Sequence, residues 1–544
     1  MRKCKIQKFL FVLLICCLFT VLAGCFTAPV SSCVSYTITF NPNNGEQGFT
    51  QIVAENEKVE LPNAPEKEGY QFDGWYENER KWSFIDDVPT EDITLTAQWI
   101  ANKNKLVFIG NGATQGDMST LSLAKNETIT LPVNSFSKDY YHFVGWSTKP
   151  NGEIVYADGA EYTMDELKEC ALYAIWEYGT NGLVYKNVLG TYKITDYLGE
   201  EAKVGIPAFY NGQPVISISE DAFRGKFHIT AVEIPNTVTS IQRSAFGSCS
   251  KLKDVRIANG LEIIEDFAFS YCRSLENINL PDTVVCIGER AFFECIRLTN
   301  IAIPDTTTLI GGSAFDSCES LVNITVGENN QNYQSIDGNL YTKIGKLIQY
   351  ALGKTDFTFV IPDGTISVET FAFDGCKNLT NLIIPESVEL MYPAHCENLS
   401  NITVAENNPY YQSIDGNLYT KSGELVQYAQ GKKDSTFIIP KEINTICNAA
   451  FFDCKNLASI VIPNHVTTID YAAFGGCDHL TNIYYEGTVE EWSNMNIDLG
   501  NEDLERATKY YYSGIAPALN FEETAYDGNY WHYGDNSEIV VWIY

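Results

Sequence analysis

Eight cysteines recur in one phase along the second half of the chain: Cys249, Cys272, Cys295, Cys318, Cys376, Cys396, Cys454 and Cys477. Their successive gaps are 23, 23, 23, 58, 20, 58 and 23 residues. Thiols in this number could cross-link the chain or hold a metal. A zinc site needs ligands that converge, usually from a C-x-x-C pair, and the chain contains none. One thiol per repeat instead builds a column, in which each sulfur packs as a small apolar group. Neighbouring thiols of such a column are close enough to bridge, so pairing of some of them stays open. Cys33, Cys170, Cys286 and Cys447 stand outside the column and are unevenly placed.

Histidine adjoins the column twice, in His395-Cys396 and in Cys477-Asp478-His479. A nucleophile with its base would fit these letters, but both cysteines belong to the buried column. Gly353-Lys354-Thr355 has the ending of a phosphate-binding loop, yet Ile348 occupies the place of the loop's first glycine. Asp337-Gly338-Asn339 and Asp415-Gly416-Asn417 could touch calcium, but no acidic series follows at the spacing of a calcium loop. They read better as hairpin turns. The acidic residues are spread along the chain, with no pair marked as a glycosidase dyad. No catalytic residue, metal or cofactor is therefore assigned, and an enzyme is not expected.

The elements that carry the cysteines repeat with them. Leu follows each Cys by three residues, from Leu252 to Leu480, and most copies precede it with an A-F pair such as Ala245-Phe246 or Ala473-Phe474. An I-x-I-P segment comes next, as in Ile301-Ala302-Ile303-Pro304. In L-x-x-I-x-I the apolar residues point to one side of a short strand and their neighbours outward. Proline ends the strand where a ladder N–H is no longer needed. A single unit cannot bury this set alone, so units must stack. Roughly eight to eleven rungs about 4.8 Å apart give a face of about 40–50 Å. The pattern resembles the BspA-type leucine-rich-repeat family, over about residues 181–512. That resemblance implies a right-handed solenoid, placed here at 181–483.

Two longer units are near duplicates, with QSIDGNLYTK at both 334–343 and 412–421. Each predicts a β-meander projecting from the solenoid edge, near 326–360 and 404–438. The unit of Cys396 is three residues short, so its return segment should be irregular. Residues 484–544 leave the repeat and predict a C-terminal cap over the open solenoid end.

Outward strand positions vary in type: Glu233, Arg256, Asn279, Ala302, Thr325, Ile383, Thr403, Val461 and Tyr484. A surface that reads a partner varies in this way, as does a plain solvated sheet. An Asn column (Asn277, Asn300, Asn323, Asn381, Asn401, Asn482) lies two residues after the repeat Leu. It is expected to satisfy backbone groups through an amide ladder.

Upstream, strand-like Tyr36–Phe40, the segment Gly69-Tyr70-Gln71-Phe72-Asp73-Gly74-Trp75 and Leu95–Trp99 recur once as Leu106–Phe108, Tyr141–Trp146 and Leu172–Trp176. The two tryptophans of each copy are 24 and 30 residues apart. These segments resemble the internalin B-repeat (Listeria–Bacteroides repeat) family. The resemblance implies two small β-grasp-like modules, 36–101 and 104–177, of the kind that serve bacterial surface proteins as stalks. Trp75 and Trp99 are expected in the core, since burying large rings stabilises so small a domain.

At the N-terminus, Arg2, Lys3, Lys5 and Lys8 precede an apolar stretch, Phe9–Ala23, too short to span a bilayer. It ends in Leu22-Ala23-Gly24-Cys25, which resembles a bacterial lipobox. The resemblance implies a signal peptide over 1–24, a lipid on Cys25 and a tether over 25–35. The formal charge is −32, from 69 Asp plus Glu against 37 Lys plus Arg, which argues against nucleic acid as a partner. The expectation is a mainly β, exported protein, lipid-anchored to the outer face of a bacterial membrane. Its partner would be a host or neighbouring-cell surface protein, alternatively a glycan met by exposed Trp492, Trp531 and Trp542.

Overall fold

The computed structural model describes residues 34–165, 169–520, 522 and 524–543. Cys25, its signal peptide and Cys33 lie outside them. The chain forms two compact units: one of residues up to 108 with 119–131 and 159–172, the other of 109–118, 132–158 and 173 onward. Helix accounts for only 2% of the structure. Among the described residues no helix is long and apolar enough to cross a membrane.

In the first unit, alternating Tyr36–Phe40 becomes the strand Ser35–Asn41, which pairs in parallel with Ile93–Ala101 at the sheet centre. Phe49–Ala54 and Tyr70–Glu77 flank this pair antiparallel. Ile38, Phe40, Trp75, Leu95 and Ala97 fill the core. Trp99 packs at its edge with the indole N–H donating to the Pro42 carbonyl at 3.1 Å. Both tryptophans are thus structural.

The second unit is dominated by a β-solenoid of about 15 turns, more than the rung estimate because the insert and C-terminal segments also coil. The L-x-x-I-x-I strands form the first ladder, Lys203–Gly205, Ala231–Ile234, Asp254–Ile257, Asn277–Ile278, Asn300–Ile303 and Asn323–Val326, all parallel. A second parallel ladder runs through Ser240–Ile241, Ile263–Ile264, Cys286–Ile287 and Leu309–Ile310. The third side is made of turns held by bonds such as Phe246 N–H to Ala268 O and Phe269 N–H to Ala291 O, both 2.8 Å. Inside it, Phe223, Phe246, Phe269, Phe292 and Phe315 stack with centroids 4.9–5.6 Å apart. Burying each ring contributes about 1.5–3 kcal/mol.

The inserts do not project from the edge. Each meander, Tyr333–Ile336, Asn339–Thr342 and Lys346–Gln349, closes the first ladder as a septum. Ile324 N–H donates to Gly338 O at 2.8 Å, and Ile402 N–H to Gly416 O at 2.8 Å. The last strand of each meander then joins the second ladder, Lys346–Gln349 with Ser367–Val368 and Glu424–Gln427 with Thr445–Ile446. The reason is visible in the duplicated motif: Leu340, Tyr341 and Leu347 are all buried, so both faces of the hairpin are apolar. The solenoid interior is thereby divided into three cores.

The C-terminal segment first adds another coil. Thr488 and Glu491 form a capping box on the helix Val489–Ser493, Asn496–Ile497 extends the second ladder, and Thr508–Tyr512 extends the first. Tyr530–Tyr533 and Ile539–Val541 then make the terminal hairpin.

Candidate functional site

Strand alternation places one outward side chain per rung along the first ladder. Inward Val255, Ile278, Ile301 and Ile324 are buried, while Arg256, Asn279, Ala302, Thr325 and Thr403 are exposed. Glu233 and Ile383 are half-buried. Register aligns them into a column: Glu233 opposite Arg256, Ala302 opposite Thr325, Ile383 opposite Thr403.

The column changes character along its length. At the start, Arg256 Nη1 lies 3.0 Å from Glu233 Oε1 and its Nε 3.1 Å from Asp254 Oδ2. Tyr178 donates its hydroxyl to Glu233 Oε2 at 3.0 Å. Burial, then the Glu233 charge, push the Tyr178 phenol well above its ordinary value. These charges satisfy one another and leave little to a ligand. The middle is small and neutral, through Asn279, Ala302 and Thr325.

Two positions missed by sequence reasoning continue the column into the insert repeats. Val360 lies opposite Ile383 and is 56% exposed; Ile438 lies opposite Val461 and is 50% exposed. Their strands, Thr358–Val360 and Thr436–Ile438, keep the final I-P of the repeat (Ile361-Pro362, Ile439-Pro440) without the Cys and Leu, and that remnant was the available signal.

Val461 and Tyr484 do not face solvent, contrary to expectation. They are 0% and 9% exposed, packed in one cluster with Trp531. The terminal hairpin folds across this part of the face, and its Trp531 N–H donates to the Tyr485 carbonyl at 3.0 Å. Large apolar side chains at the outward positions of the last rungs gain by being covered. Trp531 is accordingly wholly buried, Trp492 packs against the third core, and Trp542 is half-buried with its N–H on Ser513 O. The exposed tryptophans of the glycan reading are not there.

The Asn column is outward, but its amides bond mainly side-chain hydroxyls rather than backbone. Asn300 reaches Thr299, Asn381 reaches Thr358 and Thr380, Asn401 reaches Thr403, and Asn482 reaches Ser459. Column cysteines are buried and unpaired as disulfides. Cys249, Cys272, Cys295, Cys318 and Cys477 each donate to the carbonyl of a Phe in the preceding coil at 3.0–3.2 Å. Lys354 of the G-K-T sequence pairs with Asp337 Oδ2 at 2.6 Å, so it braces the hairpin turn. Among the described residues no group of three or more His, Cys, Asp or Glu is arranged to hold a metal ion.

Stacked leucine-rich coils, their strand ladder divided at the two septa, define the class of the protein as a leucine-rich-repeat solenoid. The BspA type leucine-rich repeat region matches residues 216–348, 342–429 and 424–497, more than half of the chain, and the chain belongs to that family. The Listeria-Bacteroides repeat domain matches 36–98 and 105–175. Internalin H of Listeria monocytogenes serovar 1/2a is 34% identical over 134 residues, 24% of this chain and 23% of internalin H. The chain spans about a fifth of the length of the curated relatives it matches. A leucine rich cell surface protein from Faecalibacterium prausnitzii A2-165 is 28% identical, covering 59% of this chain and 98% of that one, with a TM-score of 0.39. A leucine-rich repeat protein from Eubacterium ventriosum is 24% identical, covering 54% and 80%, with a TM-score of 0.41.

Proposed function

We propose that the chain is a non-enzymatic surface protein that binds a protein of a host or neighbouring cell through the outer column of the first ladder. The observation that carries the reading is the exposed apolar side chain of Val360, in register with Ile383 and followed by Thr403. Apolar groups aligned on a solvated sheet face have a use in a protein interface, whose centre is depleted of charge. Two curated relatives of part of the chain carry the words membrane protein in their names, which supports a place at the cell envelope. In this reading a lipid on Cys25 tethers the chain to the outer face of the membrane, and the two N-terminal β modules act as spacers.

Binding of the full chain to intact host cells tests it. Val360→Asp is expected to weaken binding by at least about tenfold without shifting thermal unfolding. Leu309→Asp, at an equally exposed position of the second ladder, should leave binding unchanged. Equal binding by both variants, or none by the parent, refutes the assignment of this face.

A further inference from the structure

The one shortened coil treats its cysteines differently from the others. The strands that follow Cys376 and Cys396 keep full register, with Asn381 opposite Asn401. The three missing residues are therefore absorbed before Cys396, where 392–396 has lost the turn found in the other coils. Equivalent positions on adjacent rungs lie about 4.8 Å apart, inside the Cα separation that a disulfide accepts. In five of the six other coils of the column the thiols are engaged with Phe carbonyls at 3.0–3.2 Å. Cys396 Sγ is 3.6 Å from the Phe373 carbonyl, a longer contact than in those coils.

The same shortening opens a cavity of about 240 Å³ lined by Cys376, Asp374, His395, Gln430 and Phe452. His395 Nδ1 lies 3.5 Å from Asp374 Oδ1, and its buried Nε2 has no protein partner. Gln430, more than nine-tenths buried, uses its amide N–H on Phe452 O, while its Oε1 is also without a protein partner. A donor–acceptor pair of orphaned groups beside a thiol suits a small molecule that carries both an O–H and an acceptor oxygen.

We infer that Cys376 and Cys396 are an oxidisable thiol pair, and that a small hydroperoxide entering this cavity is the oxidant. The Cys376 thiolate attacks one peroxide oxygen. The O–O bond breaks, Cys376 becomes a sulfenic acid, and the leaving oxygen takes a proton and departs as water when the oxidant is hydrogen peroxide. Cys396 then gives up its proton and attacks the Cys376 sulfur; the S–S bond forms and a second water leaves. In sum two thiols and one hydrogen peroxide become one disulfide and two waters, the two electrons passing from sulfur to oxygen. His395, oriented by Asp374, is positioned through Nε2 to serve the departing oxygen. The neighbouring Cys396 side chain holds the Cys376 thiol below its ordinary value against burial, whereas burial raises Cys249, Cys272, Cys295, Cys318, Cys454 and Cys477. Cys376 is itself buried, so the cavity beside it is the route for the oxidant, and its thiolate character selects it as the cysteine that oxidises first.

The test treats the full chain with hydrogen peroxide, then alkylates it unfolded and maps the peptides by mass. One linkage, Cys376 to Cys396, is expected, with Cys376 consumed at least about tenfold faster than Cys272 or Cys454. Cys396→Ala should halt the reaction at a sulfenic acid on Cys376 that dimedone captures. His395→Gln should slow Cys376 oxidation several-fold at an unchanged melting temperature. Oxidation of Cys376 no faster than Cys272, or a linkage to any other cysteine, overturns the inference; the parent chain alone decides this, whatever the variants do to folding.

Discussion

Leu340 and Tyr341 are consecutive in one strand, yet Leu340 closes the first core of the solenoid and Tyr341 opens the second. Leu418 and Tyr419 do the same between the second and third cores. Successive strand residues point to opposite faces, so a hairpin apolar on both faces becomes a wall between compartments.

Leu340→Ala should therefore destabilise by about 2–5 kcal/mol, and locally. Hydrogen exchange is expected to lose protection over 300–326 while 459–485 keeps it, since coils couple mainly to their neighbours. Uniform loss along the whole solenoid would contradict the compartment account.

The septa also cap the second ladder. The Tyr333 hydroxyl accepts from Ile310 N at 2.9 Å, and the Tyr411 hydroxyl from Met391 N at 3.1 Å. Tyr333→Phe and Tyr411→Phe each leave a buried N–H unpaired, at an expected cost of about 1–3 kcal/mol. Urea unfolding of the two variants should give costs of similar size, because the duplicated hairpins make the same bond.

Trp531 carries the closure of the outer face near the C-terminus. Trp531→Ala should cost about 3–5 kcal/mol in that region and expose Val461 and Tyr484. Increased binding of an apolar dye, with intact far-ultraviolet dichroism, is the expected signature.

Buried thiols of the column, and the half-buried Cys447 beside it, make the fold sensitive to base. Burial raises Cys249, Cys447 and Cys477 from an ordinary value of 9.0 up to about 12. Above pH 9 the unfolded chain has lost these protons and the folded one retains them. The unfolded state then binds fewer protons, so stability falls with rising pH. Their contribution is fully present below pH 9 and is lost progressively towards pH 12. Chemical unfolding followed at pH 7, 9 and 10.5 should show stability unchanged over the first step and falling over the second.

Much of the coil was legible because its period repeats. Cys, Leu and the I-x-I strand recur at 23 residues, and only stacking buries such a set. The second ladder was not foreseen, since a strand of two residues such as Ser240–Ile241 has too little alternation to show a period. Its trace is the isoleucine series Ile241, Ile264, Ile287 and Ile310, again 23 apart. Of the nine outward positions, seven keep some exposure; Val461 and Tyr484 do not, because Trp531 reaches them from 47 residues beyond Tyr484.

Composition and periodicity by themselves thus determined a mainly β chain, a stack of coils and the inward identity of Cys, Phe, Leu and Ile, because these follow from local alternation and repetition. Only the tertiary structure decided which outward residues stay open, that the inserts are walls, and that Cys376 shares a cavity with His395. Each of these depends on segments distant in sequence coming together, and no local pattern of residues encodes where a distant segment will lie.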